Sequence, residues 1–166
     1  MQNPKIPYLT ILYLSILAII IIALGFLRLF LFENINFHLQ FLYYDMERSH
    51  MSESLNFLRT FTYNELYVIK WILTMLFSFA YLFLTCLVIH ILFRVKKYVL
   101  MTIYMFAAII FISFVFYTMG LLINWDLQFT DQSKTGYRLA RIFMGVVQSP
   151  FPLMILIPAF MLSERS

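Results

Sequence analysis

The stretch that decides the fold is Trp71–Ile123: WILTMLFSFAYLFLTCLVIHILF, then RVKK, then YVLMTIYMFAAIIFISFVFYTMGLLI. Two runs, Trp71–Phe93 and Tyr98–Ile123, contain no Asp, Glu, Lys or Arg, and the basic turn Arg94-Val95-Lys96-Lys97 separates them. About 20 helical residues rising ~1.5 Å each cross a hydrocarbon core ~30 Å thick, so each run is long enough for a membrane span. Working outward, Tyr8–Leu27 and Ile142–Leu162 are two further runs without those four residue types. The sequence therefore predicts an all-α membrane protein with four transmembrane helices. They lie at about 8–27, 71–93, 98–123 and 142–162 of a single domain over residues 1–166.

Composition points the same way. Hydrophobic residues make up 63% of the 166 and charged residues 12%, against roughly 45–50% and 25% in soluble domains. A soluble chain this small has no core large enough to hide that much apolar surface. This excludes a soluble enzyme, and the single cysteine, Cys86, excludes a disulfide scaffold within one chain. The first apolar run is longer than the ~7–15 residues of a signal-peptide core, and no Ala-x-Ala site follows it, so it reads as a retained span.

Lys and Arg density near span ends sets orientation. Lys5, Arg94, Lys96, Lys97 and Arg165 crowd the N-terminus, the short turn and the C-terminal tail. Both termini are therefore expected in the cytoplasm, with the longer segments Arg28–Lys70 and Asn124–Arg141 external. The net charge of +4 then belongs to a cytoplasmic rim facing anionic lipid; no nucleic-acid partner is implied.

Between Gly25 and Gly120 there is no glycine, and between Pro7 and Pro150 no proline. The first external segment thus lacks the residues that punctuate flexible loops. Ser52 and Glu53 resemble a helix start, and Leu55, Leu58 and Phe61 recur at helical spacing, which predicts short amphipathic helices there. Asn124–Arg141 is polar and reads as an exposed turn. Trp71 and Trp125 stand at span ends, where such rings anchor in the headgroup zone.

Pro150, Pro152 and Pro158 interrupt the fourth run. Proline removes a backbone donor and kinks a helix, which predicts a break near Ser149–Pro152. Gln148 is placed to satisfy freed backbone groups. Broken helices also line transport sites, which keeps a small transporter or ligand-binding protein as an alternative.

Cys86, His90 and Arg94 form one helical stripe, a constellation for an activated thiolate. Spaced ~6 Å apart along one axis, they converge poorly on one reacting group, so a membrane enzyme using Cys86 is the lesser reading. His38, His50 and His90 are scattered and the glycines are few, so neither a metal site nor any other cofactor is implied. What remains is a set of charges at or near external span ends: Arg28, Glu33, Asp45, Arg138 and Arg141. They are candidates for snorkelling to lipid, for pairing that holds the loops, or for gripping a partner.

Three patches carry a resemblance. The first is Arg28-Leu29-Phe30-Leu31-Phe32-Glu33 followed by Leu42-Tyr43-Tyr44-Asp45. The second is the order of span, basic turn and aromatic-rich span across Leu66–Leu122. The third is Arg138 to Arg141, then Gln148, then Leu156-Ile157-Pro158-Ala159-Phe160. Together they resemble the small four-span proteins that accompany exosortases in Bacteroidota, of the exosortase F and exosortase X system-associated type. The resemblance implies a bacterial inner-membrane location and a membrane-protein partner, either an exosortase-like enzyme or its substrate helix. It implies no reaction of the chain's own. The expected function is thus a non-enzymatic accessory of a C-terminal protein-sorting system, acting through helix packing and external charges.

Overall fold

The computed structural model describes residues 8–44, 50–123 and 131–164. Among the described residues every regular element is helical. Helix α1 is Tyr8–Tyr44, a 3-10 helix covers Glu53–Thr60, α2 is Tyr63–Phe93, α3 is Lys96–Ile123, α4 is Asp131–Val147 and α5 is Phe151–Ser163. Helices α1 and α2 and residues Lys96–Gly120 of α3 are each long and apolar enough to cross a membrane. Arg138–Val147 and Phe151–Ser163 pass the same criterion only as a pair, bent by 59°. Many large apolar side chains of these helices are exposed, among them Ile19, Phe79, Phe83 and Phe111, as suits surfaces solvated by lipid.

The helices outrun the apolar runs that reveal them. Helix α1 continues without interruption through Arg28 and Glu33 to Tyr44, 37 residues in all. At ~1.5 Å per residue it is ~55 Å long, far more than the hydrocarbon thickness. A charge does not break a helix that has solvent on one side, and this segment has neither Gly nor Pro after Gly25. The short amphipathic helices expected in Arg28–Lys70 are therefore replaced by the outer half of α1, one 3-10 helix and the first turns of α2. Helix α2 starts eight residues before Trp71 because Thr62 and Glu65 form a capping box. Glu65 Oε2 accepts from the Thr62 backbone N–H at 2.8 Å and from its hydroxyl at 2.9 Å.

The second external segment is corrected too. Residues 124–130, with Trp125, lie outside the described residues, but from Asp131 onward the chain is helical rather than an exposed turn. Gly136 explains why. A Cβ built there would stand 3.1 Å from Gly120 Cα and 3.1 Å from the Phe116 carbonyl oxygen. The glycine is thus a point of close backbone approach to α3, not a loop signal.

The chain divides into two compact units, 1–21 with 78–166 and 22–77. In the second unit, Ile35 and Leu39 of α1, Met51, Leu55 and Leu58 of the connection, and Leu66 of α2 form a buried cluster, with Phe61 packed against it. Two polar straps reinforce it. Asn34 is buried; its Oδ1 accepts from Ser52 N–H and its Nδ2 donates to the Phe30 carbonyl. Lys70 Nζ donates to Asn36 Oδ1 at 2.7 Å. Ser52 caps the 3-10 helix through Ser54 N–H, as its position in the sequence suggests.

In the other unit α4 packs antiparallel on α3. Ser113 Oγ donates to the Ala140 carbonyl at 2.9 Å, and the Phe116 and Phe143 rings stack at 5.6 Å. At the far end Phe160 of α5 stacks on Tyr98 at 4.4 Å and meets Phe93 edge-on. This sets the last turns of α5 beside the α2–α3 turn. That turn is tight because Arg94 takes φ 55°, a left-handed residue ending α2 where glycine is usual.

Candidate functional site

Of the six residues singled out by sequence, Arg28 and Glu33 belong to the 22–77 unit, and Arg138, Arg141 and Gln148 to the other. In the 22–77 unit, Arg28 is half-buried and Glu33 exposed. Arg28 is on a turn of α1 whose next member is Phe32, and the guanidinium carbon lies 5.4 Å from the centre of the Phe32 ring, a cation–π contact. Asp45 lies outside the described residues. In the other unit, Arg138 and Arg141 are both exposed on α4, one turn apart, and Gln148 is 2% exposed. The sequence reading placed the four arginine and glutamate positions at or near external span ends.

Helices α1 and α2 run antiparallel in the 22–77 unit: Asn36 meets Lys70, and Phe32 meets Phe77 with ring centres 6.0 Å apart. Phe77 is six residues past Trp71, ~9 Å into the uncharged stretch of α2 at ~1.5 Å per residue. Arg28 is a further turn along, so its Cα stands ~15 Å inside that stretch.

Gln148 occupies the break between α4 and α5, which lies where Pro150 and Pro152 predict it. Its Nε2 donates to Ser78 Oγ of α2 at 3.0 Å. Ser149 Oγ donates to the Val146 carbonyl and accepts from Phe151 N–H, while Leu153 N–H reaches the Pro150 carbonyl at 3.0 Å. Backbone groups freed by the prolines are thus answered by neighbouring side chains and by a tightened turn.

Cys86 is half-buried and His90 exposed one turn on. Arg94 lies past the last turn of α2, its N–H donating to the His90 carbonyl at 2.9 Å.

Sequence reasoning missed the polar straps. Asn34 and Asn36 stand on α1 in the stretch expected to hold short amphipathic helices. Beyond the Asn36–Lys70 contact lies His38, 2% exposed and stacked on Phe41. Burial, then the charge of Arg59, lowers its pKa below the ordinary histidine value. At the start of α2, before the uncharged stretch, the two Thr62 hydrogen bonds hold the Glu65 carboxyl below the usual range. The available signal was the Thr62-x-x-Glu65 pattern, which marks a helix start.

Comparison of the chain with known protein families, with curated proteins and with solved structures gives no match.

Proposed function

We propose that the chain is a four-span protein of a bacterial inner membrane, with both termini cytoplasmic, that serves as a non-enzymatic accessory to an exosortase-type C-terminal sorting system. The bent α4–α5 pair is its fourth span. The observation that carries this reading is the strapped outer part of α1 and α2. Two helices that exceed the bilayer thickness are tied by Asn34, by Asn36–Lys70 and by an apolar cluster. Such a preshaped surface suits a standing contact with another membrane protein, since little order has to be gained on binding. Arg28 and Glu33 lie on the same unit and add to its charge. The resemblance in the three sequence patches names the partner class, an exosortase-like enzyme or the C-terminal helix of its substrate. Gln148 supports the same reading over a transport path, because its amide is engaged by Ser78.

The test is co-purification with an exosortase-type enzyme from native membranes. Arg28→Lys is expected to lower recovery several-fold while the protein still inserts and accumulates, because lysine lacks the planar fork. Normal recovery with Arg28→Lys would reduce Arg28 to a lipid contact, and no recovery with the unaltered chain would remove the accessory reading.

A further inference from the structure

Four tyrosines gather on the 22–77 unit where the end of α1 meets the start of α2. Tyr43 and Tyr44 stand edge to face with ring centres 4.9 Å apart, Tyr43 lies 6.1 Å from Tyr63, and Tyr63 is nearly parallel to Tyr67 at 6.5 Å. The cluster is open: Tyr43 is 58% exposed, Tyr44 65% and Tyr63 39%. Ring contacts thus order phenols from two helices against one another and leave much of their surface for something else to meet.

Their place along the helices says what that is. Arg94, in the basic turn, comes 27 residues after Tyr67 and 31 after Tyr63, a rise along α2 of ~40 to ~46 Å. A bilayer with both headgroup layers is ~40–45 Å thick. With the Arg94–Lys97 turn in one headgroup layer, the tyrosines come level with the other. Helix α1 repeats the interval, for its exposed Tyr13 and Tyr43 are 30 residues apart, ~45 Å. A phenol suits that layer because its ring is apolar while its hydroxyl both donates and accepts. Hydrocarbon would strand the hydroxyls, and water would leave the rings uncovered; the zone between satisfies both ends. We propose that Tyr43, Tyr44, Tyr63 and Tyr67 form a contact surface for the phospholipid headgroup layer, in the leaflet away from the Arg94–Lys97 turn. It rests on α1 and α2 being spans, as in the proposed function, and is independent of the sorting partner.

The experiment uses the full chain in phosphatidylcholine vesicles, with Trp71→Phe and Trp125→Phe so that one introduced tryptophan reports. Tyr63→Trp is expected to be quenched several-fold more by lipids brominated near the headgroup than by lipids brominated near the chain ends. Should that change impair folding, Tyr44→Trp leaves Tyr63 in place and is expected to give the same order. Phe79→Trp is the reference: Phe79 is 68% exposed and eight residues past Trp71 in the uncharged stretch, so it should respond most to the deep bromines. Quenching of Tyr63→Trp and Tyr44→Trp by aqueous iodide, with no response to brominated lipid, would put the cluster in water or under a partner. A response strongest to the deep bromines would put it in hydrocarbon. Either result overturns the surface while Phe79→Trp keeps its deep response. Loss of that reference response would instead bring down the spans, and the surface with them.

Discussion

The two compact units are built from similar helices and held by different forces. In the 22–77 unit the connection folds back on the helices. It buries Met51, Leu55 and Leu58 with Ile35, Leu39 and Leu66, beyond the level where Lys70 meets Asn36. Where its surroundings are water, each fully buried apolar side chain contributes ~1.5–3 kcal/mol. The other unit has no such driving force between its helices, because lipid is as apolar as leucine. It relies on close approach at Gly120 and Gly136, on ring stacking, and on hydrogen bonds such as Gln148 to Ser78 and Tyr81 to the Ile21 carbonyl. Truncating a side chain should therefore harm the first unit most, and adding atoms should harm the second.

The largest expected effect follows from Leu66→Ala. Leu66 is fully buried, and the cavity should cost ~2–5 kcal/mol. Limited proteolysis is expected to cut the Glu53–Thr60 region much faster, while α3 and α4 keep their protection. Equal loosening of both units would erase the distinction between them.

Next comes Gly136→Ala. Its Cβ meets Gly120 Cα and the Phe116 carbonyl at 3.1 Å, tighter than ordinary packing, so α3 and α4 must separate at a cost of ~1–3 kcal/mol. Gly145 is the control: a Cβ there meets nothing within 4 Å, and Gly145→Ala should be neutral or stabilising by up to ~1 kcal/mol. Unfolding in mixed detergent is expected to rank the variants Gly145→Ala, unaltered, Gly136→Ala in falling stability.

Much of this was legible in the sequence. The uncharged runs revealed three apolar helices, the basic turn joined α2 to α3, and the two prolines located the break before α5. Hydropathy misjudged where the helices stop. It ended the first span at Leu27 and began the second at Trp71, because charge marks the end of an apolar run and not of the helix that contains it. The capping box at Thr62 was the local signal that overrules this. The polar start of α4 was lost because Gly136 reads as a turn residue until its neighbour Gly120 is known. No sequence spacing predicts that Asn34 reaches Ser52.

The smallest effect separates the units by pH. The lowered pKa of His38 favours its neutral form in the folded 22–77 unit. The unfolded chain then binds more protons below the ordinary value of ~6.5, so the contribution of His38 is complete above that pH and falls as the pH drops below it. Amide exchange around Glu53–Thr60 is expected to quicken modestly between pH 7 and pH 5, and to stay flat in His38→Gln. Matching acceleration in α3 and α4 would assign the change to the whole protein.

The proposed topology has α1 and α2 each crossing the bilayer once, with Lys96 cytoplasmic and Arg59 external. Single cysteines in a Cys86→Ala background, treated with a membrane-impermeant thiol reagent in intact cells and in inverted vesicles, measure this directly. Lys96→Cys is expected to react only from the cytoplasmic face and Arg59→Cys only from the external face. Reaction of both from the same face would contradict the spans, the orientation and the proposed external contact together.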